Sequence, residues 1–238
     1  MQQVAQQLKT QQFKNRILAS LPNSELEELE PHLSSVSLPQ RKMLVDEKLS
    51  YGYFLDSGIA STVVTLCSGD TVEVGAAGRE GVVGMSILLG AHRSLGQTFM
   101  QVGGSGFRIS AAHLRNAFDH CTELRRRILH FMQAFLVQIA QTAACNRVHT
   151  IDERLARWLL TCHDRAGSDQ LSLTHDFLAQ MLGAPRTTVT QAAGELQRAG
   201  MIACARGAIT IADRARLEKA ACECYGAVRD AYRQLDVL

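Results

Sequence analysis

The stretch LTHDFLAQMLGAPRTTVTQAAGELQRAGMIACARGAITI, Leu173–Ile211, decides how the chain is read. Thr174 is a good N-cap, and Phe177, Leu178, Met181 and Leu182 recur at helical spacing, which predicts a short helix with one apolar stripe. Gly183 suits the left-handed position that closes a helix, and Pro185 fits the opening turn of the next, so Gly183-Ala184-Pro185 reads as the turn. A second helix follows from about Arg186 to Ala199, with Val189, Ala192, Ala193 and Leu196 inward and Arg186, Thr187, Thr190 and Gln191 outward. Gly200 stops it. Two short strands, Met201–Ala205 and Ala208–Ile211, flank Arg206-Gly207 and form a tight hairpin. Together these elements make a winged helix-turn-helix.

The outward face has the chemistry of groove reading. Arg pairs with guanine in bidentate fashion, Gln does the same with adenine, and Thr bonds phosphate or offers its methyl to thymine. Arg186, Thr187, Thr188, Thr190 and Gln191, with Thr174 and Arg206 at the flanks, are therefore the candidate DNA-contacting residues. A polar outer face also occurs as plain domain surface, which spacing alone does not separate from a reader.

With IDERLARWLL (151–160) in front of it, LTHDFLAQMLGAPRTTVTQAAGELQRAGMI (173–202) resembles the C-terminal domain of the CRP/FNR superfamily of bacterial transcription regulators. The resemblance extends upstream over nearly the whole chain. It implies an α+β fold: an N-terminal β-roll of the cyclic-nucleotide-binding type (a double-stranded β-helix), a long dimerisation helix and a C-terminal winged helix-turn-helix. It also implies that Arg186, Thr187 and Gln191 contact DNA. The expected divisions are residues 1–120 for the N-terminal helix and roll, 121–149 for the dimer helix and hinge, and 150–238 for the DNA-binding domain.

Composition is consistent with this. Hydrophobic content of 46% and charged content of 20% fit an ordinary globular protein. No stretch reads as a membrane span, and MQQVAQQLKTQQF is too polar for a secretory signal, so a cytoplasmic protein without membrane contact is expected. The net charge is only +2, and from Thr150 to the end 11 Lys/Arg balance 11 Asp/Glu. DNA affinity must then come from local placement, and Arg186, Arg198 and Arg206 supply it in the reading helix and wing.

Upstream, residues 13–33 read as helix broken at Leu21-Pro22, with Asn23 or Ser24 as cap and Glu27 placed for a capping box. The acidic face of Glu25, Glu27, Glu28 and Glu30 reads as solvated surface. Between Gly52 and Gly106 lie 12 of the 18 glycines, among short apolar segments, the pattern of an antiparallel roll with many turns. The resemblance places an effector pocket there, at Gly84, Met85, Arg93 and Ser94, with Ile139 and Ala140 contributed by the long helix. Arg93-Ser94 matches the family's phosphate-binding half. Met85 stands where the cyclic-AMP proteins carry a ribose-binding Glu, and Ile139 and Ala140 stand where they carry hydroxyls. Cyclic nucleotide is thus disfavoured as a cofactor, and an unidentified small-molecule effector is expected.

In CTELRRRILHFMQAFLVQIAQTAACNRVH (121–149), Leu124, Ile128, Phe131, Phe135, Leu136 and Ile139 keep near-heptad spacing. Such a seam either lies on the chain's own roll or pairs with a second copy. The palindromic operators of helix-turn-helix proteins favour the homodimer, so Leu124, Ile128, Phe131, Phe135 and Ile139 are the expected interface. A hinge is expected near Val148–Ile151, where a packing change would reset the two reading helices. The segment after the wing reads as one or two helices that brace it or meet a partner; RNA polymerase is a further candidate partner of the protein, with no residue marking its surface.

Seven scattered cysteines argue against a disulfide framework, and none precedes Cys67, unlike the family's iron–sulfur oxygen sensors. Cys222-x-Cys224 lacks a second pair and a nearby His in sequence, so no metal site is expected. No Ser/His/Asp, Cys/His or P-loop pattern has convincing context, so neither catalytic residues nor an enzyme is expected. The expected function is a homodimeric, sequence-specific DNA-binding transcription regulator under effector control. A cyclic-nucleotide-dependent regulator is the first alternative. The second is a ligand- or redox-sensing module whose winged helix contacts proteins.

Overall fold

In the computed structural model, residues 13–91, 93–94 and 96–237 are described. The polar N-terminus read above lies mostly outside them, as do His92 and Leu95 of the pocket stretch. Asn15 anchors the entry of the chain. Its Oδ1 accepts from the backbone N–H groups of Ile17 and Leu18, capping α1 (Arg16–Ala19), while its Nδ2 donates to Leu55 and Gly81 carbonyls of the roll. After Pro22 comes α2 (Asn23–Leu29), with no side-chain cap, so the expected capping box is not formed. The acidic face does more than meet solvent. Both Glu25 carboxylate oxygens accept 2.9 Å bonds from the Glu123 and Leu124 amides, capping the long helix from a distant part of the chain.

The roll runs from Ser34 to Ser110 in eight strands: β1 (Ser34–Leu38), β2 (Met43–Val45), β3 (Tyr51–Leu55), β4 (Ile59–Thr65), β5 (Thr71–Ala77), β6 (Val82–Val83), β7 (Gln97–Val102) and β8 (Gly104–Ser110). They form two antiparallel sheets, β1-β8-β3-β6 and β2-β7-β4-β5, as the glycine-punctuated pattern predicts. Their inner faces enclose Leu38, Phe54, Leu55 and Met100. A short helix, α3 (Ala111–His120), leads into α4 (Thr122–Val148).

Helix α4 lies on its own roll. The Phe131 ring sits where a Cβ on Gly81 would come within 2.2 Å of it, and Phe135 sits 2.8 Å from a Cβ on Gly75. Leu124, Ile128 and Phe131 are fully buried and Phe135 nearly so, while Ile139 is half-buried against the same core. This corrects four members of the expected dimer seam: Leu124, Ile128, Phe131 and Phe135 are consumed within the chain, while Ile139 keeps part of its surface. Leu136, counted in the same seam, is 60% exposed and belongs to the opposite face. By length and composition α4 could cross a membrane, which the reading of the sequence did not register. Nine of its residues, including Gln138 and Thr142, are instead buried in the protein.

After α4 the chain turns at His149-Thr150 into α5 (Ile151–Ala166), and Thr150 closes a capping box with Glu153. The hinge expected near Val148–Ile151 thus coincides with a true break between helices. Strand β9 (Gln170–Leu171), α6 (His175–Leu182), α7 (Arg186–Arg198), β10 (Ile202–Ala205) and β11 (Ala208–Ile211) complete the winged helix-turn-helix, with β9 adding a third strand beside the wing. The last two helices, α8 (Arg214–Ala220) and α9 (Cys224–Gln234), part company. Leu217 of α8 joins the reader core, whereas Val228 and Tyr232 of α9 join the core of the roll. Tyr232 packs edge-on to Phe131, its hydroxyl bonds the Gln138 amide at 2.7 Å, and Arg127 pairs with Asp236. Helix α9 therefore braces α4 rather than the wing, while its first turn, through Tyr225, still packs in the reader core.

Gly81→Ala should cost roughly 1–3 kcal/mol, since the added methyl meets an aromatic ring that has nowhere to retreat. Urea unfolding followed by circular dichroism measures this. Trimming the ring in Gly81→Ala/Phe131→Leu should recover part of the loss.

Candidate nucleic-acid interface and its attachment to the roll

Local rules build the reader. Thr174 Oγ1 accepts from the Phe177 amide at 3.2 Å and starts α6. Gly183 closes it at φ +57, and its backbone N–H reaches back to Ala179 and Gln180 carbonyls. Pro185 precedes α7 without a side-chain cap, so the first amides of α7 point outward unclaimed by any side chain. Val189, Ala192, Ala193 and Leu196 are buried against α5, α6 and the wing, as their spacing predicts.

Thr174, Arg186, Thr187, Thr188, Thr190, Gln191 and Arg206 are all exposed. The first six lie on α7 or at the cap of α6, and Arg206 occupies the two-residue tip of the wing beside Gly207. Arg186 makes a 3.0 Å ion pair with Asp176 in which both side chains stay about two-thirds exposed, at 66% and 65%. Such a pair contributes little and is readily exchanged for a phosphate or a base edge. Gln191 reaches Glu195 at 3.4 Å, and the Thr190 hydroxyl meets His175 Nδ1 at 3.1 Å. His175 is a flanking contact that spacing did not single out.

The reader is docked on the roll through buried polar contacts. Glu73 of β5 accepts from Trp158 Nε1 of α5 at 2.9 Å and from Ser61 Oγ at 2.5 Å. Trp158 is thus buried core with a polar tether. Arg165 of α5 pairs with Glu80 of the roll at 2.7 Å, with both side chains nearly out of solvent, and its guanidinium stacks on Tyr232. Ile59, Val63 and Ala76 of the roll share one apolar core with the reader. Burial pushes the Glu73 carboxyl above the ordinary carboxylate range, against the pull of its bonds to Ser61 and Trp158.

A cavity of about 320 Å³ opens in the roll beside α4. Gly84, Met85, Arg93 and Ser94 line it, as expected, but Ile139 and Ala140 do not: the long helix contributes Phe135 instead. Ala140 is exposed on the outer face of α4. The Thr62 and Thr98 hydroxyls of the lining bond each other at 3.0 Å, and Ser94 Oγ donates to the Gly96 carbonyl. Arg93 sits exposed at the rim.

At the other end of α4, Cys145 and His149 meet Cys222 and Cys224, all four ligand atoms lying within 4.8 Å of one another. The sequence reading missed this group because its halves, at His149 and Cys222, stand 73 positions apart in the chain. The Cys222-x-Cys224 half is visible in the sequence but was set aside for want of partners; the i, i+4 spacing of Cys145 and His149 on a helix is the signal that supplies them.

Residues 153–220 match the model of the Crp-like helix-turn-helix domain. The fold is shared with solved structures of low identity. FixK2 from Bradyrhizobium japonicum superposes with a TM-score of 0.67 at 18% identity, covering 80% of this chain and 98% of that one. A transcriptional regulator of the CRP/FNR family from Thermus thermophilus gives 0.65 at 20%, covering 79% and 98%. The c-di-GMP-responsive global regulator CLP from Xanthomonas campestris gives 0.66 at 15%, covering 80% and 99%. No curated protein sequence matches the chain.

The raised Glu73 carboxyl makes docking pH-dependent. Its stabilisation is complete at or below the ordinary carboxylate pKa and is lost as pH rises through the raised value, because ionisation then occurs at a buried site. The thermal midpoint should accordingly fall over that window. Glu73→Gln, which keeps an acceptor for Trp158 without the charge, should flatten the profile.

Proposed function

Because residues 153–220 match a Crp-like helix-turn-helix domain set in the fold of the CRP/FNR-type transcription regulators, we propose that the chain is a homodimeric, sequence-specific regulator that reads a palindromic operator. The observation that carries this is the exposed, uncapped start of α7, bearing Arg186, Thr187, Thr188, Thr190 and Gln191. In this reading Arg186 leaves Asp176 for a base edge or phosphate, Gln191 reads a base, and Thr174 and Arg206 hold the backbone on either side.

Dimerisation uses the face of α4 that the roll leaves free. Arg126, Leu129, Gln133, Leu136, Ala140, Ala143 and Arg147 follow alternating steps of three and four residues, and all are exposed. That is a coiled-coil seam, with Leu129 and Leu136 as its large apolar members and small alanines toward the C-terminal end. Two such helices side by side would present two α7 helices to half-sites one helical turn apart, ~34 Å. Within a bacterial cytoplasm this dimer needs no membrane. An effector in the roll cavity would be small and largely apolar, in keeping with Val45, Val82, Val83, Met85 and Phe135 around it, and would act through Phe135 on α4.

Selection of duplex DNA from a random library should enrich a two-fold palindrome. Arg186→Ala should weaken its binding tenfold to a hundredfold, about 1–3 kcal/mol, with dimerisation intact. Unchanged affinity would favour a winged helix that contacts protein. Leu136→Arg should yield monomers in sedimentation velocity, whereas an unaltered dimer would rule out this seam.

A further inference from the structure

The group at the end of α4 is built from opposite ends of the reader. Cys145 and His149 stand one helical turn apart on the same face, at the last turn and C-cap of α4. Cys222 lies in the loop after α8, and Cys224 is the first residue of α9. Cys145, Cys222 and Cys224 are buried and form an isolated cluster of their own. Cys145 Sγ lies 3.5 Å from Cys222 Sγ, and Cys224 Sγ lies 3.5 Å from His149 Nδ1.

We propose that Cys145, His149, Cys222 and Cys224 form a four-coordinate site for a single thiophilic divalent cation, zinc, which clamps the hinge end of the long helix to the segment that follows the wing. The spacing fits. A tetrahedral ion with metal–sulfur distances of about 2.3 Å and metal–nitrogen distances of about 2.0–2.1 Å sets its ligand atoms roughly 3.5–3.8 Å apart. An iron–sulfur cluster places its own irons and sulfides between the thiolates and spreads them further. A disulfide would use only one pair of the four groups, and even the nearest sulfurs stand well beyond the bonded distance of about 2.05 Å.

The surroundings point the same way, independently of the ligand count. His149 directs Nδ1 at the thiols and its Nε2 at the Glu223 carboxylate, 3.1 Å away, the orienting arrangement that carboxylates give to metal-bound imidazoles. Gln141 Nε2 donates to Cys224 Sγ at 3.1 Å, as a donor does to a coordinated thiolate. Three thiolates around Zn²⁺ leave one net negative charge. Arg157, nearly buried and with Nε unpartnered among the described residues, acts electrostatically on Cys145 and supplies the compensating charge.

Occupancy would bind α4, the loop after α8 and the start of α9 into one body across the His149-Thr150 break. Zinc would then fix the angle at which the reader leaves the dimer helix. That consequence rests on the DNA-reading proposal; the site itself does not.

The test titrates full-length, reduced, chelator-stripped protein with Co²⁺, then Zn²⁺. One Co²⁺ per chain is expected, with intense tetrahedral ligand-field bands and sulfur-to-cobalt charge transfer, displaced by one equivalent of Zn²⁺ with release of thiol protons. Cys222→Ser and Cys224→Ser should abolish the spectrum, and Cys67→Ser, at an exposed cysteine outside the group, should keep it. Because either site variant could unfold, Glu223→Gln, at a side chain 79% exposed, is the decisive one: it should bind about 10–100-fold more weakly with unchanged circular dichroism. A weak octahedral spectrum, iron with acid-labile sulfide in the purified protein, or a Cys145–Cys222 disulfide in metal-free protein would each overturn the proposal. A second arm measures binding to the selected palindrome with and without one equivalent of Zn²⁺. An affinity change confined to protein with the intact site supports control of the hinge. Equal affinities overturn that control and leave the cobalt result standing; absence of any DNA binding tells against the reader alone.

Discussion

The long helix can lie where it does only because two positions of the roll have no side chain. Phe131 and Phe135 occupy the space that a Cβ on Gly81 or Gly75 would need. This close approach buries one face of α4 so fully that its other face is left to any partner. It also sets the height at which Tyr232 meets Phe131, and so brings α9 back across the reader to brace the helix. From that return follows the meeting of Cys222 and Cys224 with Cys145 and His149. A packing constraint inside the roll thus propagates to the hinge, because protein interiors have little slack to absorb it.

The reader is attached to the roll differently. Apolar burial against Ile59, Val63 and Ala76 supplies adhesion, while Glu73–Trp158 and Glu80–Arg165 fix the register. A buried ion pair such as Glu80–Arg165 adds little net stability, since desolvation offsets most of its attraction. Both contacts do penalise alternatives: any sliding of α5 strands a buried carboxylate or guanidinium without its partner. The docked arrangement is accordingly well defined without being bound tightly by those charges, and it leaves every candidate DNA contact on α7 in solvent.

The helix-turn-helix was legible because each boundary has a local chemical cause: Thr174 as a cap, Gly183 as a left-handed stop, Pro185 before α7. The two-sheet roll was legible in outline through its glycines. What failed was the choice between two partners for one apolar stripe. Leu124, Ile128, Phe131 and Phe135 have the spacing of a dimer seam and equally that of a helix on its own sheet, and nothing local separates the two. The telling observation, rings seated over Gly81 and Gly75, joins Phe131 and Phe135 to glycines 50 and 60 positions away. The same holds for Glu25, which caps α4 from 98 residues away, and for the Cys/His group. Periodicity identifies a buried face but not what buries it.

The proposed effector and the proposed ion would act on one and the same helix. The roll cavity touches α4 through Phe135, and the Cys/His group holds it at Cys145 and His149. Ten residues separate Phe135 from Cys145, about 15 Å at 1.5 Å per residue. A helix capped at one end by Glu25 and braced along its length by α9 does not bend freely between those points. A displacement at Phe135 must therefore reach the hinge as a shift or rotation of the whole helix. A clamp at Cys145 and His149 converts such a shift into movement of the segment carrying Cys222 and Cys224. Without the clamp, the same shift would be absorbed at the His149-Thr150 break, where only a capping box and the docking contacts oppose it. Occupancy of the Cys/His group and filling of the cavity would thus be coupled through α4, each altering how much of the other's displacement reaches α7.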